Sequence, residues 1–217
     1  MSIELYVFPP SPRAFLVMAV ANHLGLDWTL RMLDLRKGDQ KTPQYAVLNP
    51  NMRMPTLKDG DFVLWESNAI VHYLAGKKPE SGLAPGDERA RLDVLRWQFW
   101  DLAHWLPAVA VFALEYVAKP LVLGIKEPDM VAIANGTDAF HRVAKVLDDQ
   151  LKGRKFVTGE KLTLADISLG SAMNLAEVAH YPVEPYGEIR RWFATLSALP
   201  AWQKTLTQTA LPTATAA

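Results

Sequence analysis

The sequence predicts an α/β domain with a small mixed sheet, followed by an all-helical domain. Three observations carry that expectation. Strand-like and helix-like periods alternate through the first 76 residues or so, a Pro-, Gly- and charge-rich stretch without periodicity follows, and strand signals vanish after Glu88.

The elements follow in order. IELYVF, residues 3–8, alternates as a strand does, and SPRAFLVMAVANHLG then reads as a helix with Ser11 as cap, Pro12 at its first position and Gly25 near its end. Trp28 to Asp34 form a second strand. A polar stretch with Lys37, Gly38, Asp39 and Gln40 leads to a short helix before Asn49-Pro50. In MPTLKDGDFVLWESNAI, residues 54–70, Thr56-Leu57 and Phe62–Trp65 flank the turn signal Lys58-Asp59-Gly60-Asp61, so the pair reads as a β-hairpin. Ser67 is placed to cap a helix whose Ala69, Ile70, Tyr73 and Leu74 share a face. Pro55 stands out, because proline removes a ladder donor and belongs at an edge, a bulge or a tight turn, where it can be cis. It marks either a strand entry or a backbone left open at Met54 for a peptide-like ligand to pair with.

This order is β-α-β-α-β-β-α. It gives a first domain over residues 1–78, a linker over 79–87, a helical domain over 88–208 and a weakly ordered tail over 209–217. In the second domain residues 88–118 are helical, with Pro107 expected to bend or interrupt the run. A further helix is expected over 129–152, ended by Gly153. Thr163-Leu-Ala-Asp166 has the form of a capping box, and two shorter helices cover 187–197 and 200–208.

Bulk properties exclude several classes. Of the 217 residues 50% are apolar and 21% charged, an ordinary soluble composition. Lys+Arg and Asp+Glu both number 23, which gives no electrostatic reason to expect nucleic acid or an anionic membrane as partner. The start MSIELYVFPP lacks the pattern of a signal peptide, and no uncharged apolar run reaches the length of a membrane span. With no cysteine, disulfides and protein-thiol chemistry are out, and a cytoplasmic location fits. No His, Asp and Glu cluster at ligand spacing suggests a metal.

The ordered combination of NPNMRMPTLKDGDFVLWESNAIVHYLA, residues 49–75, with TLADI near residue 165 closely resembles the soluble glutathione transferases, across essentially the whole chain. The resemblance implies a thioredoxin-like N-terminal domain, a C-terminal helical bundle, glutathione as co-substrate without a metal, and a homodimer. It implies that Pro55 is a cis-proline presenting the backbone of Met54 to the cysteinyl part of glutathione. Glu66 and Ser67 match the pair that holds the γ-glutamyl end. Chemistry agrees: a helix N-terminus and a hydroxyl suit the α-carboxylate, and a carboxylate suits the ammonium. Arg53 and Gln40 resemble residues that contact the glycyl end. Taken alone, Ser67 reads as a plain cap and Arg53 as a solvated charge.

The same resemblance implies the catalytic group. A free thiol has a pKa of about 8.5, which a hydrogen bond to sulfur lowers. Ser11, between the first strand and its helix, sits where the serine-type, theta-like classes keep their thiolate-stabilising hydroxyl. It would be neither nucleophile nor general base. Ser11-Pro12 is also a good helix start without any chemistry. Theta-like relatives often carry an arginine four residues on, where this chain has Phe15, and Arg13 is the candidate substitute. Within RWQFWDLAHWLPA, some of Trp100, His104 and Trp105 would line a pocket for a small hydrophobic electrophile, although a bundle core explains such aromatics equally well. The implied function is attack of a glutathione thiolate on that electrophile. The alternatives are a glutathione-dependent isomerase or dehalogenase, or a non-catalytic ligand- or partner-binding relative.

Overall fold

The computed structural model describes residues 3–209. The chain divides into two compact units, Met1–Lys78 together with the chain from Ala198 onward, and Pro79–Ser197.

The first unit is built on four strands, β1 (Ile3–Val7), β2 (Trp28–Met32), β3 (Thr56–Asp59) and β4 (Phe62–Trp65), in the order β2-β1-β3-β4. β1 and β2 are parallel, as their helical crossover requires, while β3 runs antiparallel to both β1 and β4. Tyr6 pairs with Thr56, and Thr56 with Trp65. Three helices complete the predicted order: α1 (Pro12–His23), α2 (Pro43–Leu48) and α3 (Ser67–Gly76). Ile3, Leu5 and Val7 alternate into the core as the pattern of β1 predicts, and Leu57, Ile70 and Leu74 are buried as well. β2 stops at Met32, two residues before the expected end. The Leu33 amide still bonds to Val7 O, but Asp34 turns the chain by accepting from the Arg36 amide and guanidinium.

Helix α1 is buried from Ala14 through Ala21, more than one amphipathic face allows. The cause is the last helix, α9 (Pro200–Thr209), which packs on it. The Phe15 and Trp202 rings lie 4.8 Å apart, and the Asn22 amide donates to Thr205 Oγ1 and Gln208 Oε1 at 2.8 and 2.7 Å. The expected helical domain over 88–208 therefore loses its final helix to the first unit, because apolar surface on α1 needs that cover. The expected tail lies outside the described residues except for Thr209, which ends α9.

The second unit is helical throughout: α4 (Glu88–Trp100), α5 (Leu106–Ala113), α6 (Met130–Leu151), α7 (Leu164–Ser171) and α8 (Gly187–Ser197). Pro107 does not break the first run, which stays helical to Leu123. Wider π turns at Asp101–Trp105 and Leu114–Leu123 absorb the prolines. The Leu106 amide reaches back five residues to Asp101 O, immediately before Pro107, and Pro120 lies inside the second π segment. By length and hydropathy Glu88–Leu123 is one helical run among the described residues that could cross a membrane, but Asp101 and Glu115 confine its longest uncharged stretch to residues 102–114, short of a span. Lys119 pairs with the buried Glu115 within that run. Gly136 allows α6 to approach α5, since a Cβ there would lie 2.9 Å from Val111 Cγ1. Trp105, Phe112, Phe140 and Tyr181 form the aromatic centre, with neighbouring ring centroids 5.6 to 6.3 Å apart.

The capping box at the start of α7 does more than cap. Asp166 is fully buried and accepts four hydrogen bonds, from Val157 N and Trp192 Nε1 on Oδ1 and from Thr163 N and Oγ1 on Oδ2, at 2.8 to 3.1 Å. It joins three chain segments. Asp166→Ala strands these donors and should cost about 3 kcal/mol in urea unfolding. Asp149 lies on the exposed end of α6, where Lys145 and Lys152 hold its carboxyl at about 2, and its removal should leave the urea midpoint unchanged because solvent screens the pair.

Candidate active site

Sheet topology brings the sequence-predicted residues of the first unit to one end. Ser11 follows the C-terminal end of β1, Gln40 follows β2, Met54-Pro55 immediately precede β3, and Glu66-Ser67 immediately follow β4. Because β1 runs parallel to β2 and β4 while β3 runs against them, those four ends coincide. The N-termini of α1 and α3 lie there too.

Ser11 is the N-cap of α1 by backbone conformation, with its carbonyl accepting from Phe15 N at 2.9 Å, yet its side chain makes no cap hydrogen bond. The Ser11 amide closes a turn onto Phe8 O. Phe15, at the place where theta-like relatives often carry an arginine, is buried against Trp202, so an arginine there would place a charge in the core. Arg13 lies half-buried in the first turn of α1.

Expectation and structure differ at α3. Ser67 is not the cap but the first helical residue, largely buried; Glu66 is the N-cap, exposed, and its side chain makes no cap bond. Glu66 is held at φ 72°, ψ 113°, a backbone region costly for a residue with a Cβ. That kink turns the chain from β4 into α3 and leaves first-turn amides, those of Ser67 and Ala69 among them, pointing out of the helix. An α-carboxylate at that point meets donors, with the Glu66 carboxylate beside it.

Met54-Pro55 is a cis peptide bond. Among the described residues the Met54 amide and carbonyl have no backbone partner. The chain is anchored on either side of this pair: the Arg53 carbonyl accepts from Tyr45 Oη and Asn49 Nδ2, and the Thr56 side-chain Oγ1 contacts the same two side chains. Sequence reading gave Tyr45, Asn49 and Thr56 no role. The available signal was two polar-tipped residues one helical turn apart, at 45 and 49, in front of the proline. Arg53 is exposed, while Gln40 keeps its Oε1 buried with no partner among the described residues.

In the second unit the three aromatic candidates separate. Trp105 is fully buried and donates its Nε1 proton to Leu169 O at 3.1 Å, so it is a core residue and not a pocket wall. Trp100 is half-buried, stacked beside Trp105 at 6.4 Å, and His104 is exposed. No group of three or more His, Cys, Asp or Glu able to hold a metal occurs among the described residues.

Residues 1–76 match the glutathione S-transferase N-terminal domain and residues 107–200 the glutathione S-transferase C-terminal domain. Glutathione S-transferase 3 of Zea mays is 32% identical to this chain over 218 residues, covering 97% of this chain and 96% of the relative. The chain belongs to the glutathione S-transferase family. Glutathione S-transferase D7 of Drosophila melanogaster is 30% identical, covering 94% and 89% of the two chains. A solved glutathione S-transferase III in apo form superposes with a TM-score of 0.87 at 30% identity, over 98% of this chain and 99% of that one. The family, its thioredoxin-like and helical domains, and glutathione transferase activity are therefore those of this chain. The theta-like subclass expectation gives way to a plant- and insect-type membership.

The strain at Glu66 yields a sharp expectation. Glu66→Gly relieves the left-handed backbone at some cost in unfolded-chain entropy, a net stabilisation of about 1 kcal/mol, read as a higher urea midpoint. The same variant removes the carboxylate beside the α3 N-terminus, and on the reading that this group takes a glutamyl ammonium, glutathione should bind about tenfold or more weakly in calorimetry.

Proposed function

We propose that the chain conjugates glutathione to a small hydrophobic electrophile, with the Ser11 hydroxyl holding the bound sulfur as thiolate. The observation that carries the assignment is that Ser11 stands at the same sheet end as the open Met54 backbone and the α3 N-terminus, with its hydroxyl unused by the helix it caps. Met54 pairs with the cysteinyl part of the tripeptide. The first turn of α3, with Ser67, takes the γ-glutamyl carboxylate, and Glu66 takes its ammonium. Arg53 and Gln40 take the glycyl end. An Arg53 guanidinium suits that carboxylate; the buried Gln40 amide suits it in the orientation that presents its NH2.

The hydroxyl donates to sulfur, the thiolate forms a bond to the electrophilic carbon, and the leaving group or a neighbouring atom accepts the displaced electron pair. Trp100 and His104 are the aromatic side chains we assign to the second substrate. The chain acts as a water-soluble cytoplasmic homodimer in this reading, without nucleic acid, membrane or metal as partner.

The test is the ultraviolet thiolate absorbance of bound glutathione across a pH series. Wild type should show the band near neutral pH. In Ser11→Ala its midpoint should rise by about one to two pH units, the equivalent of one hydrogen bond to a charged acceptor. An unshifted midpoint would leave Ser11 a helix cap alone, and glutathione bound without a band would favour the ligand-binding alternative.

A further inference from the structure

Two side chains on the far side of the cis-proline segment decide where the Met54 amide points. Tyr45 lies in α2 and Asn49 ends it, both buried. Tyr45 Oη donates to Arg53 O at 2.6 Å and Asn49 Nδ2 donates to the same oxygen at 2.7 Å, so both lone pairs of that carbonyl are filled. The second Asn49 proton goes to Thr56 Oγ1 at 3.1 Å, and Thr56, fully buried, returns its own proton to Tyr45 Oη at 2.8 Å. Asn49 Oδ1 accepts from the Asn51 amide and side chain at 3.0 and 3.2 Å, which fixes the face the Asn49 amide presents. Every proton of the Tyr45, Thr56 and Asn49 side chains has an acceptor.

The consequence lies one bond further on. The Arg53–Met54 peptide is trans and planar, so its C=O and N–H point in opposite directions. With the carbonyl held by two buried donors, the Met54 N–H is aimed away from α2. Among the described residues it has no backbone acceptor. We infer that Tyr45 and Asn49, with Thr56 closing the network, are positioning residues that orient the Met54 amide as the donor to the cysteinyl carbonyl of glutathione. They never touch the substrate. The inference rests on the proposed glutathione reading of Met54 and adds to it the part that sets its geometry.

Calorimetric dissociation constants for wild type, Tyr45→Phe and Thr56→Ser test it against two ligands, glutathione and an analogue whose cysteinyl carbonyl is replaced by a methylene. Tyr45→Phe keeps the ring and loses one bond to Arg53 O. It should weaken glutathione about three- to tenfold, the range of a single hydrogen bond, while Thr56→Ser, which keeps the hydroxyl, stays within about twofold. For the methylene analogue the Tyr45→Phe penalty should fall below about twofold, because the acceptor is gone. An equal penalty on both ligands, or none on glutathione, would overturn the positioning role and leave glutathione binding standing. Wild type that fails to bind glutathione would overturn the underlying reading instead. Should Tyr45→Phe not fold, amide exchange in wild type decides: glutathione should slow exchange of the Met54 N–H about tenfold or more, and unchanged exchange would overturn the inference.

Discussion

One antiparallel strand, β3, is the constraint on which the site depends. It lies between β1 and β4 and runs against both, so its first residues meet the last residues of its neighbours. Without that reversal, the hairpin would carry Met54-Pro55 and Glu66-Ser67 together to the opposite end of the sheet from Ser11. A peptide ligand pairing with Met54 would then be a strand length from the Ser11 hydroxyl and the α1 N-terminus. The turn at Lys58–Asp61 does the rest, sending β4 back beside β3 so that its end meets the start of β3. The three chemical tasks proposed for the site, backbone pairing, carboxylate binding and sulfur stabilisation, thereby fall to separate elements on one rim.

Rigidity on that rim comes from polar contacts behind it. The Tyr45, Asn49 and Thr56 network is buried, and its hydrogen bonds hold the Arg53 carbonyl before Pro55 and the Thr56 side chain after it. Burial also pushes the Tyr45 hydroxyl above its ordinary pKa, with the hydrogen bonds opposing, so it remains a proton donor across the working range. In the second unit Asp166 plays a comparable part away from any chemistry, tying α7 to α8 and to the Val157 turn. In both places one polar group satisfies several backbone or side-chain donors, which makes it costly to replace and specific in what it fixes.

How much of this was legible in the sequence follows from the range of each interaction. Strand and helix order, the hairpin and the TLAD capping box are local patterns, and they were readable because turn chemistry and periodicity act over a few residues. The candidate residues of the rim were reached through the order of motifs, since no spacing between Ser11 and Ser67 announces a common site. What was not legible is long-range or conformational. Trp202 covering Phe15 spans most of the chain, and nothing in WQKTLTQT says which unit it serves. The left-handed Glu66 looks like any residue before a helix. Tyr45 reads as an apolar face residue until its hydroxyl is seen on Arg53 O. Trp105 was misplaced because helical spacing gives the face of a residue but not what that face meets.

The absence of an arginine at position 15 bears on how the sulfur can be activated. Burial of Phe15 against Trp202 closes that position to a cation. The remaining requirement is modest. A free thiol titrates near about 8.5, so half-ionisation at neutral pH asks for a shift of roughly one and a half units, or about 2 kcal/mol in favour of the thiolate. A single hydrogen bond to a charged acceptor contributes about 1.5 to 3 kcal/mol when the donor has no competing partner. Ser11 meets that condition, because its hydroxyl takes no part in capping α1, and the positive end of the α1 dipole acts in the same direction. The proposed chemistry therefore closes with one hydroxyl and one helix end. Exchanging Phe15 for a charge would remove its packing against Trp202, and the proposed chemistry does not call for that charge.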